Sequence, residues 1–402
     1  MSLSFRRLLL AGTLLVSPLP LLAEPVLLAD ALRQGIETSP RIAQAKSRAD
    51  AAEARARQAG VSPNPELSLQ VENFAGTGVF TGLRSTETTL AVSQRFELGG
   101  KRGARVGVAR AERDFAFLQY KAAQADLERD IRVAHAELRA AEDRAVLARD
   151  NVASARELVR TARLLVETGR DPPLRQMRAE ALLAEAEAES ARTFGDLLVA
   201  RRNFTALTGI EDPEPSALVV DETVPAPLPP DAETLDVQLA FAGRSAAQAR
   251  VDLARADAVP DITASGGIRR IGDGRDTALV AGFSLPLPLR NRNRGNIDAA
   301  QSESLAAESG LALARRDSGR VRYEARILFD AADARYAALA GPGLAQAQEA
   351  LRVAQIGYNA GKFSLVELLD ARTAVTQAKL NLIQARLDRS RALAALIRAS
   401  VQ

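Results

Sequence analysis

The chain has 402 residues, 47% of them hydrophobic, 4% aromatic and 26% charged, with a net charge of +3. That balance carries no polyelectrolyte signal, so nucleic acid is not an expected partner. The lack of Cys excludes disulfides, thiol catalysis and thiolate metal sites.

Residues 1–23 read as a signal peptide: Arg6 and Arg7 precede the apolar stretch Leu8 to Leu22, and Pro18 and Pro20 break it before a cut after Ala23. No Cys follows, so a lipoprotein is not expected. Beyond Ala23 no run reaches the length of a membrane-spanning helix, and insertion into a membrane would have to use strands.

A first unit spans residues 24–210. A helical pattern runs from Leu28 to Gln58 and ends at Gly60. Leu67, Leu69 and Val71 alternate with Ser68, Gln70 and Glu72, which predicts a strand over about 65–73. A second alternating run predicts a strand over about 87–98, closed by Gly99-Gly100. A long helix follows over about 101–168. From Leu127 its apolar residues recur at steps of four and three through Ile131, Ala134, Leu138, Ala141 and on to Val166, a heptad seam. At 1.5 Å per residue it would reach about 100 Å. Gly169 and the pair Pro172-Pro173 stop it, and a return helix spans about 174–208.

The proline-rich stretch 211–231 reads as a connector, after which the order of events repeats over 232–402. A helix over about 232–256 leads to strands over about 261–271 and 277–289, joined by a tight turn at Gly272-Asp273-Gly274. A second long helix over about 295–359 is kinked at Gly341-Pro342-Gly343, turns at Asn359-Ala360-Gly361-Lys362, and returns over about 364–398. The two halves align at an offset of roughly 190 residues, which places Gly169 on Gly361. The fold class is therefore mainly α with a small antiparallel β part, built by duplicating a helix–strand–strand–long helix–short helix unit. Each return helix covers only half of its long helix, so a short helix stacked end to end with it must cover the rest. The strands then gather at the end opposite the turns. Four strands cannot close a barrel, and oligomeric closure in a membrane resolves their open edges.

In this arrangement the chain resembles the TolC family of outer-membrane factors, and within it the CzcC-like proteins of heavy-metal efflux. The resemblance is carried by the duplication, by Ser93-Gln94-Arg95-Phe96-Glu97-Leu98-Gly99-Gly100-Lys101-Arg102 and its counterpart Pro286-Leu287-Pro288-Leu289-Arg290-Asn291-Arg292-Asn293-Arg294-Gly295-Asn296, and by Gly361 to Ala371. It implies a homotrimer with a 12-stranded barrel in outer-membrane lipid. The barrel would continue into an α-helical periplasmic tunnel. The helical turns would dock a periplasmic membrane-fusion adaptor and, through it, an inner-membrane RND pump. The protein would be a passive duct, not an enzyme, and no cofactor is expected. A drug-efflux or type I secretion duct is the alternative within the family, and a soluble periplasmic coiled-coil scaffold the alternative outside it.

Glu367 and Asp370 lie three apart just inside the second turn, and the resemblance implies that they form an acidic ring at the periplasmic gate. Gln377, Asn381, Gln384 and Asp388 extend a polar stripe opposite the seam Leu368, Ala371, Val375, Ala378, Leu382 and Ala385, as a pore-lining helix or a solvated face would. Tyr358 matches a tyrosine that helps close the family's entrance, whereas Phe363 stands where the closing arginine would be. Arg175 and Arg178 occupy the matching places at the first turn, as possible opposing gate charges. Gly169 and Gly361 serve the turns; Thr168, Arg170, Ala360, Lys362 and Ser364 are candidates for adaptor contact. His135 and Met177 are isolated, so metal specificity is expected in the pump and adaptor.

Overall fold

The computed structural model describes residues 27–211, 223–226, 229, 232–272, 276–360 and 362–402. The signal peptide, most of the 211–231 connector, Asp273, Gly274 and Gly361 lie outside them.

Among the described residues, eight α-helices and four strands follow in the order α1 (Leu28–Thr38), α2 (Pro40–Ala59), β1 (Glu66–Glu72), β2 (Glu87–Phe96), α3 (Lys101–Glu167), α4 (Pro173–Thr208), α5 (Leu235–Asp257), β3 (Ile262–Ile271), β4 (Asp276–Ser284), α6 (Arg294–Ala338), α7 (Leu344–Asn359) and α8 (Leu365–Ala399). The first helical stretch, continuous in its apolar pattern, is two helices. Ser39 is extended (φ −68°, ψ 121°) because Pro40 follows it, and Pro40 then opens α2 as its first residue. β4 stops at Ser284 rather than near residue 289, since Pro286 and Pro288 have no N–H to give a ladder. β2 stops at Phe96 rather than Leu98, ahead of two left-handed glycines; at Gly99 (φ +69°) Val259 packs where a Cβ would sit.

α3 is the spine. Its seam residues Leu127, Ile131, Ala134, Leu138, Ala141, Ala145, Ala148, Val152, Val159 and Ala162 are all buried. α2 and α4 cover one flank of it end to end. Arg105 Nε donates to Ala59 O (2.9 Å) and Arg41 bonds Asp130 (3.1 Å), which fixes α2 along its first half. Arg156 bonds Glu187 (2.9 Å), and Val159 and Ala162 pack on Ala179, which fixes α4 along the second. Where the two short helices meet, Leu28, Ala31, Ile42, Leu197 and Phe204 close the main core around Ile131 and Leu138. α5 and α8 cover the other flank, tied by Arg250 to Glu112 (2.7 Å), Arg391 to Glu137 (2.5 Å) and Arg398 to Asp126 (2.6 Å). α6 packs on α5 and α8. It joins α7 through a π turn, Leu339–Gly343, whose extra residue accommodates Pro342 without ending the coil.

The four strands form one antiparallel sheet, β1-β2-β3-β4. Leu67, Val92, Gly266 and Ala281 make one rung, and Leu69, Leu90, Ile268 and Leu279 the next. Directly paired residues share a face, so one face is an apolar band that also carries Val71 and Phe283. Among the described residues nothing covers that band: Leu279 is 87% exposed and Phe283 83%. The opposite face carries Ser68, Gln70, Thr89, Ser93, Ser265 and Arg269.

Candidate functional site at the helical tips and in the sheet

The two helical turns at the far end from the sheet are built alike. At the first, Arg170 N and Asp171 N both donate to Leu165 O (2.8 and 3.2 Å), and Thr168 N to Leu164 O. At the second, Lys362 N and Phe363 N both donate to Gly357 O (2.8 and 3.2 Å), and Ala360 N to Ile356 O. These bonds absorb carbonyls that the helix ends leave open. Gly169, at φ +69°, takes the left-handed position that such a turn needs. Thr168, Arg170, Ala360, Lys362 and Ser364 are exposed around the two turns.

The tips differ in their side chains. Glu367 accepts a hydrogen bond from Ser364 N (2.6 Å), while Ser364 Oγ accepts one from Glu367 N (3.3 Å). This capping box gives Glu367 a structural task at the start of α8, and the bond from Ser364 holds its carboxyl below the usual range. The signal for it, Ser-x-x-Glu before an apolar run, stands in the sequence at Ser364 to Glu367. Arg175 pairs with Asp171 in its own first turn and is not turned towards the second hairpin. Arg178 and Asp370, in contrast, line one cleft of about 790 Å³ between the two hairpins, together with Asp150, Arg372 and Lys379. Both are exposed, and no ion pair joins them among the described residues. Tyr358 is half-buried on α7. Beside it the Phe363 ring lies flat on Gly357, where any Cβ would overlap it. The second turn is thus closed by an aromatic contact where the first has an ion pair.

The polar stripe on α8 is only partly open. Gln384 accepts from Arg144 of α3 (2.8 Å) and Asp388 from Arg335 of α6 (3.0 Å). Gln377 is exposed and bonds Asn381 (3.0 Å). Neighbouring arginines therefore take up the upper stripe, which spacing alone did not reveal. His135 is buried against Phe204, their ring centroids 6.1 Å apart. Burial, with Arg139 and Arg132 nearby, pushes its pKa down to about 4.

At the other end, the polar face of the sheet carries a charge cluster that sequence reading missed. Arg269 bonds Glu87 (2.8 Å) and Thr89 Oγ1 (3.0 Å) and lies 3.5 Å from Glu72. Only the register brings these three strands' residues onto one face. A sheet with an uncovered apolar face and a hydrogen-bonded polar face, hung from a helical rod, is one chain's share of a membrane barrel continued by a tube.

Residues 31–210 and 232–400 match the family described as outer membrane efflux protein. The chain belongs to that family. This outer membrane efflux protein is 36% identical to the nickel and cobalt resistance protein CnrC of Cupriavidus metallidurans, over 73% of its own length and 71% of the relative's. It is 29% identical to the cobalt-zinc-cadmium resistance protein CzcC of the same organism, over 89% and 86%. It is 35% identical to the nickel-cobalt-cadmium resistance protein NccC of Alcaligenes xylosoxydans xylosoxydans, over 73% and 68%. Its fold matches CusC with a TM-score of 0.78 over 92% of this chain and 91% of that one, at 18% identity. It matches the Neisseria gonorrhoeae MtrE outer membrane channel with the same score over 92% and 88%, at 21% identity. The efflux protein therefore sits in the outer membrane through its sheet and extends into the periplasm through its helices.

Proposed function

We propose that three copies of this chain form the passive exit duct of a tripartite RND-type efflux system that exports divalent heavy-metal cations. The observation that carries the substrate class is the 36% identity to a nickel and cobalt resistance protein, backed by two more relatives named for resistance to divalent metals. The metal is cargo. Among the described residues no group of three or more His, Asp or Glu gathers into a cation site. The paired edges of β1 and β4 from neighbouring copies would close the barrel in outer-membrane lipid. The tips at Gly169, Arg170, Gly361 and Lys362 would meet a periplasmic membrane-fusion adaptor, and through it the inner-membrane pump. Arg178 and Asp370 are the charges we assign to the entrance, with Tyr358 and Glu367 framing it.

The test is a growth-inhibition panel for a deletion strain, with cobalt, nickel, zinc, cadmium, copper and silver beside several lipophilic drugs. Sensitivity to a group of divalent metals, restored by the intact gene, is the expected result. Sensitivity to drugs alone would keep the duct and discard its cargo.

A further inference from the structure

The two places where the sheet hands over to a long helix are unlike. Between β2 and α3 the handover takes four residues, and two of its three following cations are paired internally: Lys101 with Asp261 (2.7 Å) and Arg105 with Glu97 (3.1 Å between Nη2 and Oε2), while Arg102 is exposed. Between β4 and α6 it takes residues 285–293, and three features recur along it.

First, its leucines continue the membrane face. Phe283 and Leu279 lie on the apolar side of β4, and Pro286 blocks a further ladder bond, while Pro288 centres a tight turn in which Leu289 N donates to Leu287 O (2.8 Å). Leu285 and Leu287 follow β4 at the periplasmic rim, and Leu289 stands just past the turn. Leu287 is 70% exposed and Leu289 76%. A cleft of about 680 Å³ separates the segment from the α5–β3 turn, so the leucines have no core of their own to fill.

Second, three arginines follow at once. Arg290, Arg292 and Arg294 are exposed, and none forms an ion pair among the described residues. They also stand at the positive end of a 45-residue helix, where cations oppose the helix dipole. Arg292 Nε donates to Pro288 O (3.4 Å), while Arg290 and Arg294 have no side-chain partner among the described residues.

Third, the arginines are displayed on a fixed support. Asn293, at φ 59°, donates through Nδ2 to Ala254 O (2.7 Å), accepts from Asn296 Nδ2 (2.7 Å), and its N–H bonds Asn291 Oδ1 (3.0 Å).

We propose that residues 285–294 form a phospholipid-binding anchor at the periplasmic rim of the barrel, with Leu287 and Leu289 in the acyl layer and Arg290, Arg292 and Arg294 on headgroup phosphates. The order along the chain, apolar and then cationic over a few residues, matches the passage from acyl layer to headgroup. The positive balance selects anionic phospholipid over zwitterionic. The inference rests on the outer-membrane position of the sheet and is independent of the exported solute.

The experiment titrates purified full-length trimer in mild detergent with phosphatidylglycerol or phosphatidylcholine and counts bound lipid by native mass spectrometry. Wild type should prefer phosphatidylglycerol. The variant R290Q/R292Q/R294Q should lose that preference by about tenfold or more while remaining a heat-modifiable trimer. The variant L287Q/L289Q should bind both lipids more weakly and keep the preference. Equal binding of phosphatidylglycerol by wild type and the arginine variant would overturn the proposal. So would dissociation of the arginine variant's trimer in lipid-free detergent, which would make the segment a contact between copies.

Discussion

The two halves share a plan but not a distribution of burial. In the first, α3 has its seam covered on two flanks, and Leu127, Ile131 and Leu138 are 2% exposed or less. In the second, α6 buries only Ala300, Leu311, Ala325 and Phe329, and it leaves Leu305 (64% exposed), Tyr323 and Leu328 (64%) in the open. Tyr323 stands where Ile131 stands in the first half. One long helix is the inside of the chain and the other is a surface that awaits a neighbour. Duplication supplied two equivalent rods, and divergence assigned one to folding and the other to assembly. The break follows the same division: α3 is continuous, whereas its counterpart is interrupted by the π turn at Pro342.

The largest test of this contrast is a pair of leucine truncations. Leu138→Ala empties a site with no solvent contact and should cost roughly 2–5 kcal/mol of the chain's own stability, read by urea unfolding. Leu328→Ala should leave that unfolding little changed and lower the temperature at which the trimer dissociates on a gel. Equal losses of chain stability from both would end the division of labour. Next is His135, inside the same core. Its folded pKa of about 4 lies below the usual 6.5, so the buried ring is neutral when folded and takes a proton more readily when unfolded. The stability due to the neutral ring is complete above pH 6.5 and is lost as pH falls from there towards 4, by roughly 3 kcal/mol at the lower end. His135→Leu should flatten the melting temperature over that window relative to wild type. A parallel slope in both proteins would assign the pH dependence to carboxylates instead. On the α6–α7 side, replacing Gly341 and Pro342 by Ala should raise thermal stability by about 1–2 kcal/mol, because alanine restores a donor and removes backbone freedom, whereas a Cβ at Gly343 would press on Ala338 O. Any loss of stability would show that the π turn is itself a packed feature.

The elements that the sequence announced are those whose signal is local. The seam of α3 and the glycine and proline punctuation at Gly169, Pro172 and Gly209 needed no partner to be read. The break at Ser39 was hidden because Pro40 suits the first turn of a helix as well as it ends the previous one. β4 was drawn too long because Leu285, Leu287 and Leu289 keep a strand's period after the prolines have removed its donors. The site was less legible than the fold. Arg175 pairs with Asp171, four residues away, and Gln384 and Asp388 of the polar stripe pair with Arg144 and Arg335 on other helices. The two pairings between helices depend on long arginines reaching across, which periodicity does not encode. The cluster of Arg269, Glu72 and Glu87 required the register between three strands.

The two tips extend the comparison to smaller energies. Ser364→Ala removes one half of the capping box and should cost about 1 kcal/mol, seen as earlier fraying of α8 in hydrogen exchange. Glu367 supplies the other half. Because its carboxyl titrates below the usual range when folded, its contribution is present above the unfolded pKa and fades as pH falls through the folded one. Exchange at the start of α8 should therefore quicken in acid, and Glu367→Gln should remove that acid sensitivity. The corresponding start of α4, where Pro172 caps without a side-chain bond, has no capping carboxylate and relies instead on the Asp171–Arg175 pair.

The smallest effect is the most informative about the entrance. Arg178 and Asp370 share a cleft without touching, so their coupling should not exceed the roughly 0.2–1 kcal/mol of exposed pairs in contact. Repeated around a trimer, that is enough to shift an open–closed balance by a measurable factor but too little to disturb folding. Asp370→Arg sets two cations across the cleft, and Arg178→Asp sets two carboxylates across it. Each should raise single-channel conductance in a planar bilayer, and the double exchange should return it towards wild type. The increase should shrink as salt rises, since screening acts on exposed charges first. If each single change opens the duct and the double fails to close it, the charges act separately. Closure would then rest on the packed apolar turn of Phe363 over Gly357, the feature that the first tip lacks.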